Sequence, residues 1–224
     1  NKLYPVKKLV RDLANGREVP ISFDPYKLAR LQVGATHKAN LFLEHEVRSF
    51  RTGAVVGPGL RQILKNVKGD GKALRRFGDY LVAKRAKELM TRDKPIKTGL
   101  EDNMKEIDEV LAAGKDQFDA MAVQLVEYQN SVLKYLSDSG VISKRMLKTI
   151  TEANKDYVPF FRLLDDEAPK FFGKGVRSPI RKIKGSEREI IDPLESVIKN
   201  TYLYVELAER NGVVKALHGL AKSS

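Results

Sequence analysis

The 224-residue sequence contains no cysteine and no tryptophan. Without cysteine the chain cannot form disulfides, thiolate zinc sites or a cysteine nucleophile. It also has no uncharged apolar run close to the roughly 18 residues that a membrane-spanning helix needs. No repeat with a period of about 20–50 residues and no low-complexity segment is present. With 42% apolar and 31% charged residues, the composition is typical of an ordered, helix-rich protein.

The first residues, "NKLYPVKKLV", contain neither an initiating methionine nor a signal-peptide pattern. Their composition is typical of the interior of a folded protein. We therefore expect the chain to be an ordered piece of a longer polypeptide.

The formal net charge of +12 is unevenly distributed along the chain. Residues 61–94 carry eleven basic and four acidic side chains, and residues 170–188 carry seven and one. Between them, residues 95–139 reverse the balance, with four basic and nine acidic side chains. Such blocks favour contact with a polyanion or with an acidic patch on a neighbouring chain, whereas the alternative is that they only solvate long helices.

The spacing of apolar residues predicts at least six helices. Asp24-Pro25 is typical of a helix start, and Gly34 separates two helices there. A strongly basic helix is predicted over 72–90, and two antiparallel helices are predicted on either side of Gly114. Gly140 is expected to end the second of these in a left-handed conformation.

Two irregular segments and one long helix complete the prediction. The glycine- and proline-rich residues 53–59 are expected to form a loop, and residues 157–164 an extended segment lying across the helices. The last helix is predicted to begin at Pro193. It carries a second apolar face, which we expect to be buried by the extended segment or by another subunit: Leu203, Leu207 and Val214.

The fold class predicted is therefore all-α. We expect an elongated multi-helix bundle with a short extended segment and a basic loop before the C-terminal helix. Two parts are distinguished, a basic N-terminal part (1–94) and a part with the hairpin, extended segment and last helix (95–224). They are expected to form one continuous module.

Residues that could carry catalysis are sparse. "HEVRS", from His45, begins like the metalloprotease motif HExxH, but Ser49 stands where the second histidine is required. Neighbouring acids such as Asp108 and Glu109 point apart on a helix and do not form a two-carboxylate site. The sequence thus predicts no catalytic residue, no metal site and no cofactor.

Exposed lysine and arginine are sufficient for sequence-independent phosphate binding. The predicted nucleic-acid-binding residues lie in the two basic blocks, on the 72–90 helix and in the loop before Pro193: Arg75, Arg76, Lys84, Arg85, Arg177, Arg181, Lys182 and Lys184. For the loop, a contact between subunits and a merely solvated segment are alternatives.

One long stretch, "GSEREIIDPLESVIKNTYLYVELAERNGVVKAL", resembles a helical module of the large polyvalent proteins of tailed bacteriophages and related mobile elements. Its most similar motifs are Gly185-Ser186-Glu187-Arg188, Asp192-Pro193-Leu194, Asn200-Thr201 and Ala208-Glu209-Arg210-Asn211. The order of "YPVKKLV", "DPYKLARL" and "DYVPFFRLLDD" before it extends the resemblance over nearly the whole chain.

The resemblance implies a structural or ejection role without catalytic residues. Proteins of this kind are packed in the virion and delivered into the host cell with the genome. We therefore expect an internal virion protein that assembles with itself or with other virion proteins and whose basic faces approach DNA. The alternatives are a nucleic-acid-binding accessory module of a large injected enzyme, and a fragment of a lytic or proteolytic enzyme.

Overall fold

The structure is a computed structural model that describes residues 3–15, 17–32, 34–91, 103–152 and 193–222. Within these ranges the α-helices are α1 (Tyr4–Ala14), α2 (Pro25–Gln32), α3 (Ala35–Glu44), α4 (Leu60–Ile63), α5 (Gly71–Met90), α6 (Met104–Ser139), α7 (Lys144–Glu152) and α8 (Pro193–Lys222). The strands are β1 (Glu46–Arg48) and β2 (Val55–Pro58), and two short 3₁₀ turns span Ile21–Phe23 and Leu64–Asn66. The all-α prediction, with at least six helices, is confirmed.

The 36-residue helix α6 is the centre of the fold and is about 54 Å long. Helix α5 packs antiparallel to it, and the ring of Phe118 contacts those of Phe77 and Tyr80. Helix α8 runs parallel to α6 and is joined to it by a hydrogen bond of 3.0 Å between the hydroxyls of Tyr128 and Thr201. The main hydrophobic core lies among these three helices, α3 and the hairpin.

Helix boundaries follow the predicted signals in three places. The Asp24 carboxylate accepts hydrogen bonds from the backbone N–H groups of Tyr26 and Lys27, at 2.9 and 3.1 Å, and so caps α2. Gly34 lies between α2 and α3. Gly140 ends α6 with a φ of 87°, in the left-handed region that glycine adopts without strain.

The predicted break at Gly114 is wrong, because α6 continues through it. Gly114 is buried against the ring of Tyr80 on α5, and a Cβ atom placed there would lie 2.5 Å from the Tyr80 Cδ2 atom. The glycine therefore allows α5 to approach α6 closely, although it weakens the helix locally. Composition does not distinguish this use of glycine from a turn.

The loop prediction for 53–59 is also wrong in part, because Val55–Pro58 forms a strand. It pairs antiparallel with β1, with Val47 opposite Gly57 and Arg48 opposite Val55. The β-branched pair Val55-Val56 suits a strand, and Gly53 makes the tight turn with a φ of 70°. Local β-propensity was outweighed in the prediction by the surrounding glycines and proline.

Helix α8 begins at Pro193 as predicted, but its second apolar face is only partly buried. Leu203 and Leu207 are half-buried and contact the main core. Val214 is 62% exposed, so the expected burial of this residue is wrong within the chain. The segments predicted as extended (157–164) and as a basic loop (170–188) lie outside the described residues.

Candidate nucleic-acid interface

Helix α5 starts in a way that fixes the direction of its first side chains. The Asp70 carboxylate accepts hydrogen bonds from the backbone N–H groups of Lys72 and Ala73, at 2.9 and 3.0 Å. The carboxylate therefore occupies the N-terminus of the helix, where an anion is stabilised by the helix dipole. A phosphate near this end would have to be bound by side chains.

Five exposed cations lie at and before the first half of α5, and we call them the cation strip: Lys65, Lys68, Lys72, Arg75 and Arg76. On α5, Lys72, Arg75 and Arg76 share one helix face because they are three and four residues apart. Within the described residues, none of the five has a carboxylate partner within the 4.0 Å of an ion pair. Asp79, one turn beyond, makes no such pair in that part of the chain either. The strip therefore retains its charge for an external anion.

The second half of α5 is equally basic, but its cations contact carboxylates. The Lys84 ammonium lies 2.6 Å from the Asp119 carboxylate of α6, and the Lys87 ammonium lies 2.7 Å from that of Asp108. The Arg85 guanidinium lies 2.7 Å from the carboxylate of Glu88 on the same helix. Basic α5 and acidic α6 thus neutralise each other over this half.

The structure therefore separates the four residues predicted on α5. Arg75 and Arg76 belong to the cation strip, whereas Lys84 and Arg85 are engaged in ion pairs. Sequence reasoning missed the other members of the strip. The signal that could have found them is the lack of an acid three or four residues away from Lys65, Lys68 and Lys72, whereas Lys84 and Arg85 have Glu88 at that spacing.

Asp119 connects the paired half of α5 to α6 through two side chains. It accepts hydrogen bonds from the Lys84 ammonium and, at 3.1 Å, from the Tyr80 hydroxyl. The hydrogen bond from Lys84 is the largest cause that lowers the pKa of Asp119, with a smaller contribution from Tyr80. Burial of the ring, together with the hydrogen bond to Asp119, raises the pKa of Tyr80 to about 12. Both groups therefore hold a fixed protonation state at neutral pH, as a structural contact does.

The four loop residues Arg177, Arg181, Lys182 and Lys184 lie outside the described residues. Their three interpretations, as a DNA contact, a subunit contact or a solvated segment, therefore stay predictions. The loop precedes Pro193, which is buried at the start of α8.

His45 and Glu46, the start of the incomplete metalloprotease motif, do not lie on a helix. His45 ends α3, and Glu46 is the first residue of β1. Among the described residues there is no cluster of three or more His, Asp or Glu side chains with the arrangement of a metal site. Of the helices described, none combines the length and the hydropathy of a membrane-spanning segment.

The motifs that carry the family resemblance lie on α8 where it contacts α6. Thr201 bonds Tyr128, as described above, and Glu209 accepts a hydrogen bond from the Tyr135 hydroxyl. The Asn211 side-chain amide donates to the backbone carbonyl of Ser139 at 2.8 Å. The Lys38 ammonium of α3 adds an ion pair of 2.8 Å to Glu209. These side chains join three helices, which gives this motif an architectural role.

Compared with known proteins, the chain matches no protein-family model, no curated protein and no solved structure.

Proposed function

We propose that the chain is a non-catalytic structural module of a phage internal virion protein, which assembles with copies of itself or with other virion proteins and assists delivery of the genome. In this proposal the protein resides in the virion and enters the host cell with the DNA. The resemblance of the α8 motifs supports the virion assignment, and the helical architecture is compatible with it. The cation strip is the observation that carries the contact with DNA.

The strip is suited to the phosphate backbone rather than to base edges. Its five side chains are exposed and lack carboxylate partners among the described residues. Three of them follow one face of α5, where they can reach successive phosphates. Such contacts position a protein on DNA without reading its sequence, and each neutralised phosphate releases counterions. Binding should therefore be indifferent to sequence and steeply dependent on salt.

Titration of labelled DNA duplexes with the purified protein at several salt concentrations tests this proposal. The informative variant replaces Lys68, Lys72 and Arg76 by Gln and leaves Arg75 in place. Because each phosphate contact contributes about 0.9 to the slope of log affinity against log salt, this variant should lower the slope by up to roughly 3 units. Unrelated duplex sequences should give the same result.

A matched control removes three exposed cations from other helices: Lys144, Arg145 and Lys222, again replaced by Gln. This control has the same net charge as the strip variant, so a general charge effect would lower both slopes equally. Equal slopes for the two variants would contradict the assignment of DNA binding to the strip. A parent protein without measurable DNA affinity at low salt would contradict the DNA contact as a whole.

A further inference from the structure

A groove of about 540 Å³ lies between the second half of α5 and the first half of α6. Its floor is apolar, with Gly78, Val82 and Ala83 from α5 and Ile107 and Val110 from α6. Gly78 and Ala83 are small, which makes the surface concave. Val82 and Val110 are half-buried, so both still offer apolar surface to an occupant.

The groove lies beside a small hydrophobic cluster that is separate from the main core. The cluster contains Ala83, Ala86 and Ile107, with Met90 and Met104 packed against it. Within the described residues it is formed by α5 and α6 alone. A pair of helices buries one stripe between them, and a further layer completes such a unit.

Charges mark the two ends of the groove with opposite sign. Arg75 stands on one rim and Glu106 on the other. Lys87 of α5 lies level with Asp108 of α6, so Arg75 is about 18 Å along α5 from the level of Glu106. An occupant must therefore offer an acid at the Arg75 end, a base at the Glu106 end and an apolar stripe between them.

We infer that the occupant is a second copy of this chain, docked through its own α5–α6 groove about a two-fold axis. A two-fold rotation places Glu106 of each copy against Arg75 of the other, with Val82 and Val110 of both copies packed between them. This is the self-complementarity that a two-fold interface requires, in which residue i contacts j and j contacts i. The result is a four-helix unit built from two helix pairs.

The available surface is of the size that such a contact needs. A 20-residue helix such as α5 is about 30 Å long, and two adjacent helices are about 20 Å wide. Each copy thus presents on the order of 600 Å² in projection, and stable interfaces bury about 800 Å² of accessible surface per partner. The inference rests on the self-assembly part of the proposed function and names its surface.

Charge-reversal variants test the pairing in the absence of DNA. Arg75→Glu and Glu106→Arg should each weaken the homodimer by at least about tenfold, because like charges then face each other twice. An equimolar mixture of the two variants should dimerise as strongly as the parent to within about threefold, because a mixed dimer restores both contacts. Sedimentation velocity over a range of protein concentrations measures all three dissociation constants.

Arg145→Glu and Glu127→Lys provide the matched control, since both positions are exposed and neither lines the groove. They should leave the dimer unchanged, alone or mixed. Val110→Lys, with helix content checked by circular dichroism, should give a folded monomer. A monomeric parent would overturn the inference, as would a mixture of Arg75→Glu and Glu106→Arg that does not recover.

The two proposals fail separately. A monomer that binds DNA with the predicted salt slope would remove the groove pairing and keep the cation strip. A dimer whose DNA binding is unaffected by the Lys68, Lys72 and Arg76 substitutions would do the reverse. A monomer destabilised by Val110→Lys would show that the chain covers the groove itself and would overturn the pairing.

Discussion

The two halves of α5 carry similar numbers of cations and use them differently. In the first half Lys72, Arg75 and Arg76 face solvent without carboxylate partners in the described chain. In the second half Lys84 and Lys87 pair with carboxylates of α6. The comparison shows that local charge density does not identify a binding surface. The partner helix decides which cations remain available to an external anion.

The difference follows from the position of acids on α6. Asp108 and Asp119 face the second half of α5, whereas the ring of Phe118 faces Phe77 and Tyr80 near the middle of the helix. Beyond that level, α5 extends towards its capped N-terminus, and the strip meets no acid of α6 among the described residues. We therefore expect the first half to serve binding and the second to serve folding.

The largest expected effect concerns the loop before Pro193, as a second candidate for the binding role. If Arg177, Arg181, Lys182 and Lys184 contact phosphates, replacing all four by Gln should lower the salt slope by up to roughly 3 to 4 units. Over a fourfold rise in salt, the affinity of the parent would then fall about 10²-fold more than that of the variant. Duplex titrations measure the slope. An unchanged slope with an altered oligomeric state would identify a subunit contact instead.

Gly114→Ala tests whether the second half of α5 depends on close approach to α6. The added Cβ would lie 2.5 Å from the Tyr80 ring, so we expect a loss of about 1–3 kcal/mol in the free energy of unfolding. The control is Gly219→Ala in α8, where a Cβ meets nothing within 4 Å. It should be neutral or stabilising by up to about 1 kcal/mol. Urea unfolding compares the two, and equal effects would show that helix propensity alone decides.

Removal of the paired cations should cost more stability than removal of the strip. Replacing Lys84, Arg85 and Lys87 by Gln should lower the free energy of unfolding by about 1–2 kcal/mol, since the Arg85 and Glu88 side chains are only 12% and 19% exposed. The matching change at Lys72, Arg75 and Arg76 should stay within about 0.5 kcal/mol. Equal losses would erase the distinction between the halves. Chemical unfolding at fixed pH and salt measures both variants.

The smallest effect is a pH dependence of the contact at Asp119. The pKa of this carboxyl is lower in the folded than in the unfolded chain, with the hydrogen bond from Lys84 as the largest cause. Its contribution to stability is therefore present above the unfolded pKa of 3.8 and is lost as the pH falls through the lower folded pKa. Asp119→Asn should be less stable than the parent at neutral pH and should approach it in acid. A constant difference across this range would contradict the contact.

Much of the fold could be predicted from the residues in order. Helical periodicity identified α5 and the end of α6, and the signals at Asp24-Pro25 and Pro193 identified two helix starts. These features depend on groups within a few residues of each other, such as the Asp24 carboxylate and the N–H groups that it caps. The candidate site was predicted only in part, because exposure of a cation is local and its pairing is not.

What the sequence by itself determined is the class of the protein: a helical chain without cysteine, with basic and acidic blocks and periodic apolar faces. Only the tertiary structure decided the use of Gly114, since the Tyr80 ring that requires it comes from another helix. The same holds for Lys84 and Lys87, whose carboxylate partners are 35 and 21 residues away along the chain. Periodicity and capping act over one or two helical turns, whereas packing and ion pairing depend on which helices become neighbours.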